Sequence, residues 1–108
     1  MVKTGGENVA SREVEEMIYR LPQFSEVAVV GVPHPHWVEA VVAVVVIKAG
    51  QSLSEKAVQD YCAQHLASFK VPKMVVFADA LPKNALGKVL RYELRRTLAA
   101  GEDEHGGA

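Results

Sequence analysis

The chain has 108 residues, carries 12 Lys and Arg against 13 Asp and Glu, and has a net charge of −1. That length suits one small domain and excludes two, and the balanced charge argues against a binder held to nucleic acid by electrostatics alone. The single cysteine, Cys62, excludes an intrachain disulfide and suits a reducing compartment. The longest apolar run, Ala40 to Ile47, is too short to span a bilayer, and no apolar leader opens the chain, so a soluble, cytoplasmic protein is expected.

In chain order, Gly5-Gly6 permits a tight turn and predicts an N-terminal glycine hairpin. Ser11 is placed to cap a first helix, whose apolar face is Val14, Met17, Ile18 and Leu21. Glu13, Glu15 and Glu16 lie near its positive end, and Pro22 stops it. Val27 to Val32 reads as a buried strand, Pro33-His34-Pro35-His36 as a turn, and Val38 to Ile47 as a second strand antiparallel to the first.

Ser54 is the next N-cap, opening a helix whose buried face is Val58, Tyr61, Cys62, His65 and Leu66. Met74 to Phe77 is a third strand, Asp79 to Gly87 a loop, and a last helix uses Leu90, Leu94 and Leu98. The expected fold is α+β: a small mixed sheet with about three helices. The acidic, glycine-rich residues 99–108 have nothing to bury and are expected to be a disordered tail, leaving residues 1–98 as the domain.

Three stretches stand out in combination. They are Lys3 to Glu15, which holds Gly5-Gly6-Glu7-Asn8; Phe69-Lys70-Val71-Pro72-Lys73; and Leu81-Pro82-Lys83-Asn84-Ala85-Leu86-Gly87-Lys88-Val89-Leu90-Arg91. Together they resemble the closing motifs of the adenylate-forming superfamily: acyl-CoA synthetases, peptide-synthetase adenylation domains and luciferases. The resemblance runs from residue 1 to about residue 98 and is greatest to fatty-acid ligases. It implies a C-terminal lid domain cut at a domain boundary, with the large domain that binds ATP and the acyl group, and the hinge, lying outside this chain.

The resemblance makes Lys88 the adenylation lysine. A carboxylate and the α-phosphate of ATP repel each other, and an ammonium between them offsets that repulsion. Lysine's flexible stem suits a group that arrives and leaves. Gly87 would give the loop mobility. The competing reading is an ordinary surface lysine, although the helix dipole disfavours one at a helix start.

By the same resemblance Gly5 and Gly6 would line the pantetheine channel of CoA, where a β-carbon would narrow the path. The competing reading is a plain turn. Trp37 and Phe69 would lie beside the adenine of CoA and Lys73 near its 3′-phosphate, by similarity to medium-chain acyl-CoA synthetases. Val71 stands where some relatives carry an arginine. Packing, or for Lys73 a solvated charge, is the alternative for each.

His34 and His36 sit in a Pro-rich turn without a further ligand and do not read as a metal site. Cys62 and His65 read as core, and Arg91, Arg95 and Arg96 as a solvated basic edge. ATP and CoA are the implied substrates, with Mg²⁺ expected but bound outside this chain. The implied partners are the large domain and a carboxylic acid, with no nucleic acid and no membrane span. The rival readings are a domain that loads acyl groups onto a carrier protein, and a non-catalytic interaction module.

Overall fold

The fold was analysed in a computed structural model, which describes residues 2–4, 7–34 and 38–106. In chain order the elements are β1 (Val2–Thr4), β2 (Glu7–Val9), α1 (Ser11–Tyr19), β3 (Phe24–His34), β4 (Val38–Ile47), α2 (Glu55–His65), a 3₁₀ turn (Ser68–Lys70), β5 (Met74–Phe77) and α3 (Arg91–Gly106).

β4 is the spine. It pairs antiparallel with β3 from Phe24↔Ile47 to His34↔Val38. On its other side it meets β1 at Thr4↔Val38 and runs parallel to β5 from Val42↔Met74 to Val45↔Phe77. β1 pairs antiparallel with β2, completing a five-stranded mixed sheet. A parallel neighbour needs a crossover, and α2 supplies it between β4 and β5.

The valine run from Val41 to Val46 has a simple cause. Val27, Val29, Val41, Ala43 and Val45 join one core with Val14 and Ile18 of α1 and Val58 and Cys62 of α2. Ala28, Val30, Val32, Val42, Val44 and Val46 join a second core with Leu81 and Leu94. Helices cover both faces, so β3 from Val27 to Val32 and β4 from Ala40 to Ile47 carry no polar side chain instead of alternating with polar residues. Each buried valine contributes about 1.5–3 kcal/mol relative to an exposed one.

Local signals held where they were local. Ser54 caps α2, its hydroxyl accepting from the Ala57 N–H at 3.0 Å. Ser11 does not cap α1: the N-cap is Ala10, without a side-chain bond, and Ser11 is the first helical residue. β3 also continues through Pro33 and His34, where a turn was expected. The reason is register. The N–H groups of Val27 and Val29 point out of the sheet, and Pro33 has the same parity, so its missing N–H faces the outer edge and costs no ladder bond.

Side chains seal both edges. Tyr19 Oη accepts from the Val27 N–H at 3.1 Å and Glu15 Oε2 from the Val29 N–H at 2.8 Å. On the far side Glu55 Oε2 accepts from the Val75 N–H of β5 at 2.8 Å. Such cover removes donors that would otherwise template pairing with another chain.

The backbone of α3 runs helical to Gly106, through a segment where a tail without structure was expected from residue 99. Among the described residues no helix is long and apolar enough to cross a membrane.

Candidate functional site

Lys88 stands on a short hairpin between β5 and α3. Lys83 and Val89 form an antiparallel bridge, and the Leu90 N–H donates to the Pro82 carbonyl at 2.8 Å to close the base. Asn84 builds the tip. Its Oδ1 accepts from the N–H of Leu86 at 2.9 Å and of Lys88 at 3.0 Å. Its carbonyl accepts from the Gly87 N–H at 3.0 Å, and its N–H donates to the Lys88 carbonyl at 3.0 Å. Asn first and Gly fourth are residues that a type I turn favours.

Gly87 has φ +83°, the left-handed region that an L side chain resists. The loop glycine is therefore required by geometry here, in addition to any freedom it confers. Lys88 is exposed, and among the described residues its ammonium has no ion-pair partner. Leu86 beside it is 92% exposed, an apolar side chain held out in solvent. The hairpin thus presents one cation and one apolar group on a backbone fixed by five hydrogen bonds.

Ion pairs fasten the hairpin on both sides. Lys83 pairs with Glu26 of β3. Arg91, the first residue of α3, places Nη2 between the two Glu15 oxygens, at 2.8 and 2.7 Å. Glu15 is 8% exposed, and its bond to the Val29 N–H joins α1, β3 and α3 in one contact. One turn later Arg95 donates to the Gly31 carbonyl at 2.9 Å and to Glu39 at 3.0 Å. Glu39 in turn accepts from the Lys3 N–H of β1 at 2.9 Å. Arg91 and Arg95 are exposed, as a solvated edge would be, but both are also structural ties. Arg96 does reach out, pairing loosely with Glu93 at 3.4 Å.

The remaining candidates fall elsewhere. β1 and β2 pair as Val2↔Val9, Lys3↔Asn8 and Thr4↔Glu7, while Gly5 and Gly6 themselves, like Trp37, lie outside the described residues. Phe69 is half-buried against the core of α1 and α2, with the Lys70 ammonium 5.7 Å from its ring centre. Lys73 is exposed, and its backbone is held in the sheet, its N–H donating to the Val41 carbonyl at 2.8 Å. Cys62 is fully buried, and burial pushes its thiol up to about 11. His65 is exposed and stacks on Tyr61, ring centres 4.6 Å apart, so it is not core and forms no pair with Cys62.

Asn84, Glu15 and Arg91 were given no role at the site from sequence. Asn84 had a local signal, since Asn three residues before Gly favours a side-chain-closed turn. Glu15 and Arg91 had none, being 76 residues apart.

Comparison with known proteins agrees with this geometry. The family model described as AMP-binding enzyme C-terminal domain matches residues 13–88, ending on Lys88. The long-chain-fatty-acid–CoA ligase FadD13 of Mycobacterium tuberculosis is 43% identical over 100 residues, covering 93% of this chain and 20% of that protein. A crotonobetaine/carnitine–CoA ligase of Proteus mirabilis is 45% identical over 95 residues, covering 88% of this chain and 18% of that protein. The solved structure of a Mycobacterium tuberculosis fatty acyl CoA synthetase superposes with a TM-score of 0.88 at 42% identity, covering 94% of this chain and 20% of that one. The chain thus spans about a fifth of the length of these relatives. The chain belongs to the family of AMP-binding enzyme C-terminal domains.

Proposed function

We propose that this chain is the mobile C-terminal domain of an ATP-dependent acyl-CoA ligase, and that Lys88 supplies the ammonium of its adenylation step. In that step a carboxylate oxygen attacks the α-phosphorus of ATP, the bond to pyrophosphate breaks, and acyl-AMP forms. The thiol of CoA then attacks the acyl carbon, AMP leaves, and the thiol proton goes to solvent. Both reactants of the first step are anionic. A cation between the carboxylate and the α-phosphate stabilises the transition state more than the separated reactants.

The observation that carries this reading is the Asn84 hairpin, which holds Lys88 outward, exposed and without an ion-pair partner among the described residues.

The second step is assigned to the opposite face of the domain, with Gly5 and Gly6 bordering the pantetheine arm, and a hinge rotation would exchange the two faces between steps. Trp37, Phe69 and Lys73 are proposed for the CoA nucleotide, with Phe69 the weakest because its ring is already packed.

Among the described residues no three His, Cys, Asp or Glu side chains gather to hold a metal. Mg²⁺ is expected with ATP and is proposed to bind outside this chain; no step here runs through it. The isolated chain is expected to be inert. The test is Lys88→Ala in the full-length enzyme, with the half-reactions assayed separately. Pyrophosphate exchange should fall on the order of 10²–10³-fold while thioester formation from supplied acyl-adenylate persists. Equal loss in both would sink the assignment.

A further inference from the structure

We propose that Glu15 and Arg91 are positioning residues for Lys88, and that they act on the adenylation step alone. The inference rests on the reading of Lys88 given above.

Lys88 and Arg91 are three residues apart, so at most ~11 Å of extended chain separates the hairpin tip from the ion pair. The Leu90 N–H bond to Pro82 shortens that lever further by closing the base between them. Arg91 is then fixed by both Glu15 oxygens. Glu15 is fixed by burial and by the Val29 N–H of β3, a strand in register with β4 over ten residue pairs from Phe24 to His34. The path from the Lys88 backbone to the central sheet thus runs through two side chains, Arg91 and Glu15.

On the opposite strand of the hairpin, Lys83–Glu26 is half-exposed and screened by water, a weaker fastening. In Glu15–Arg91 the cation is similarly exposed, but the Glu15 side chain is 11% exposed against 25% for Glu26 and is also bonded to the Val29 N–H. An exposed hairpin with a left-handed glycine needs such a tie if its lysine is to be delivered to one place. Placement errors near 1 Å can cost 10²-fold in rate. By contrast the tie through Arg95 and Glu39 leads to β1, away from Lys88.

The experiment uses Arg91→Gln and Glu15→Gln in the full-length enzyme, with half-reactions measured separately. Pyrophosphate exchange is expected to fall ~10–100-fold with thioester formation from supplied acyl-adenylate retained. In a Lys88→Ala background the same substitutions should cost nothing more in exchange. Equal loss in both half-reactions, or full additivity with Lys88→Ala, overturns the proposal. Arg91→Lys keeps the charge and should recover part of the loss; Glu15→Gln is the variant at greater risk of misfolding, so Arg91 carries the test. A second readout does not depend on the role of Lys88: amide hydrogen exchange of Leu86 and Lys88 in this chain. Arg91→Gln should speed it while β3 and β4 stay protected. Unchanged exchange at the tip overturns the positioning role, whereas an active Lys88→Ala enzyme with a loosened tip would refute only the catalytic reading.

Discussion

Asn84 and Lys88 are bonded to each other twice: Asn84 Oδ1 accepts from the Lys88 N–H, and the Lys88 carbonyl accepts from the Asn84 N–H, each at 3.0 Å. Backbone and side chain of one residue thereby clamp the residue that carries the ammonium. Asn84→Ala removes the Oδ1 contacts and leaves the Leu86 and Lys88 N–H groups to water. Both are exposed, so global stability should change by no more than about 1 kcal/mol. Adenylation should nevertheless drop ~10-fold or more, because the tip loses its fixed geometry. Denaturant melts alongside pyrophosphate exchange check this; a stability loss that accounts for the activity loss contradicts it.

Gly87 makes a separate prediction. A β-carbon there would meet nothing within 4 Å, so space is not the constraint; the positive φ is. Gly87→Ala should cost about 1 kcal/mol of hairpin stability. Gly87→Asn should cost less, since Asn tolerates the left-handed region, and Gly87→Val more. Amide exchange at Lys88 across the three variants gives the order. A ranking that follows side-chain volume instead of backbone preference refutes the account.

These two residues show where sequence reading succeeds and stops. β4 was read at its observed bounds, Val38–Ile47, because a β-branched run between turn residues is a local signal. Ser54 was read as a cap for the same reason. The Lys88 motif was legible because its residues are contiguous. What supports it was not: Arg91 finds Glu15 only after β3 and β4 pair and α3 crosses their far face. Pro33 misled because its effect depends on which way its absent N–H would point, a property of register. Tyr19, with a hydroxyl that serves the Val27 N–H, likewise gave no sign in the helical pattern.

Glu39 is the corresponding tie for β1. Its carboxylate accepts from the Lys3 N–H and from Arg95, and it fits because Gly31, diagonally across on β3, has no side chain. A β-carbon on Gly31 would lie 2.9 Å from Glu39 Cδ and 2.9 Å from Val2 Cγ1. Glu39→Ala should therefore speed amide exchange at Lys3 and leave the Lys88 hairpin protected. In the full-length enzyme the thioester-forming step should suffer more than adenylation. Gly31→Ala should also disturb β1, at a cost of about 1–3 kcal/mol from overpacking. If either substitution loosens residues 83–91 as much as β1, the two ties are not independent.

Cys62 supplies a prediction with a definite sign. Burial raises its thiol from 9.0 to about 11, so the folded state favours the protonated form. The folded chain then holds more protons than the unfolded one between those values, and stability must fall as pH rises through that window. Below about pH 9 the thiol adds no pH dependence, and above about 11 the accumulated loss is roughly 2–3 kcal/mol. The comparison is with Cys62→Ala, which should show a shallower decline. At pH 8 a two-unit shift lowers the thiolate fraction about a hundredfold, and burial denies reagents access. Alkylation of the native chain should therefore run at the rate of unfolding and accelerate with denaturant. Rapid labelling under native conditions, or identical pH profiles for the two chains, would place Cys62 nearer the surface than the core of α1 and α2.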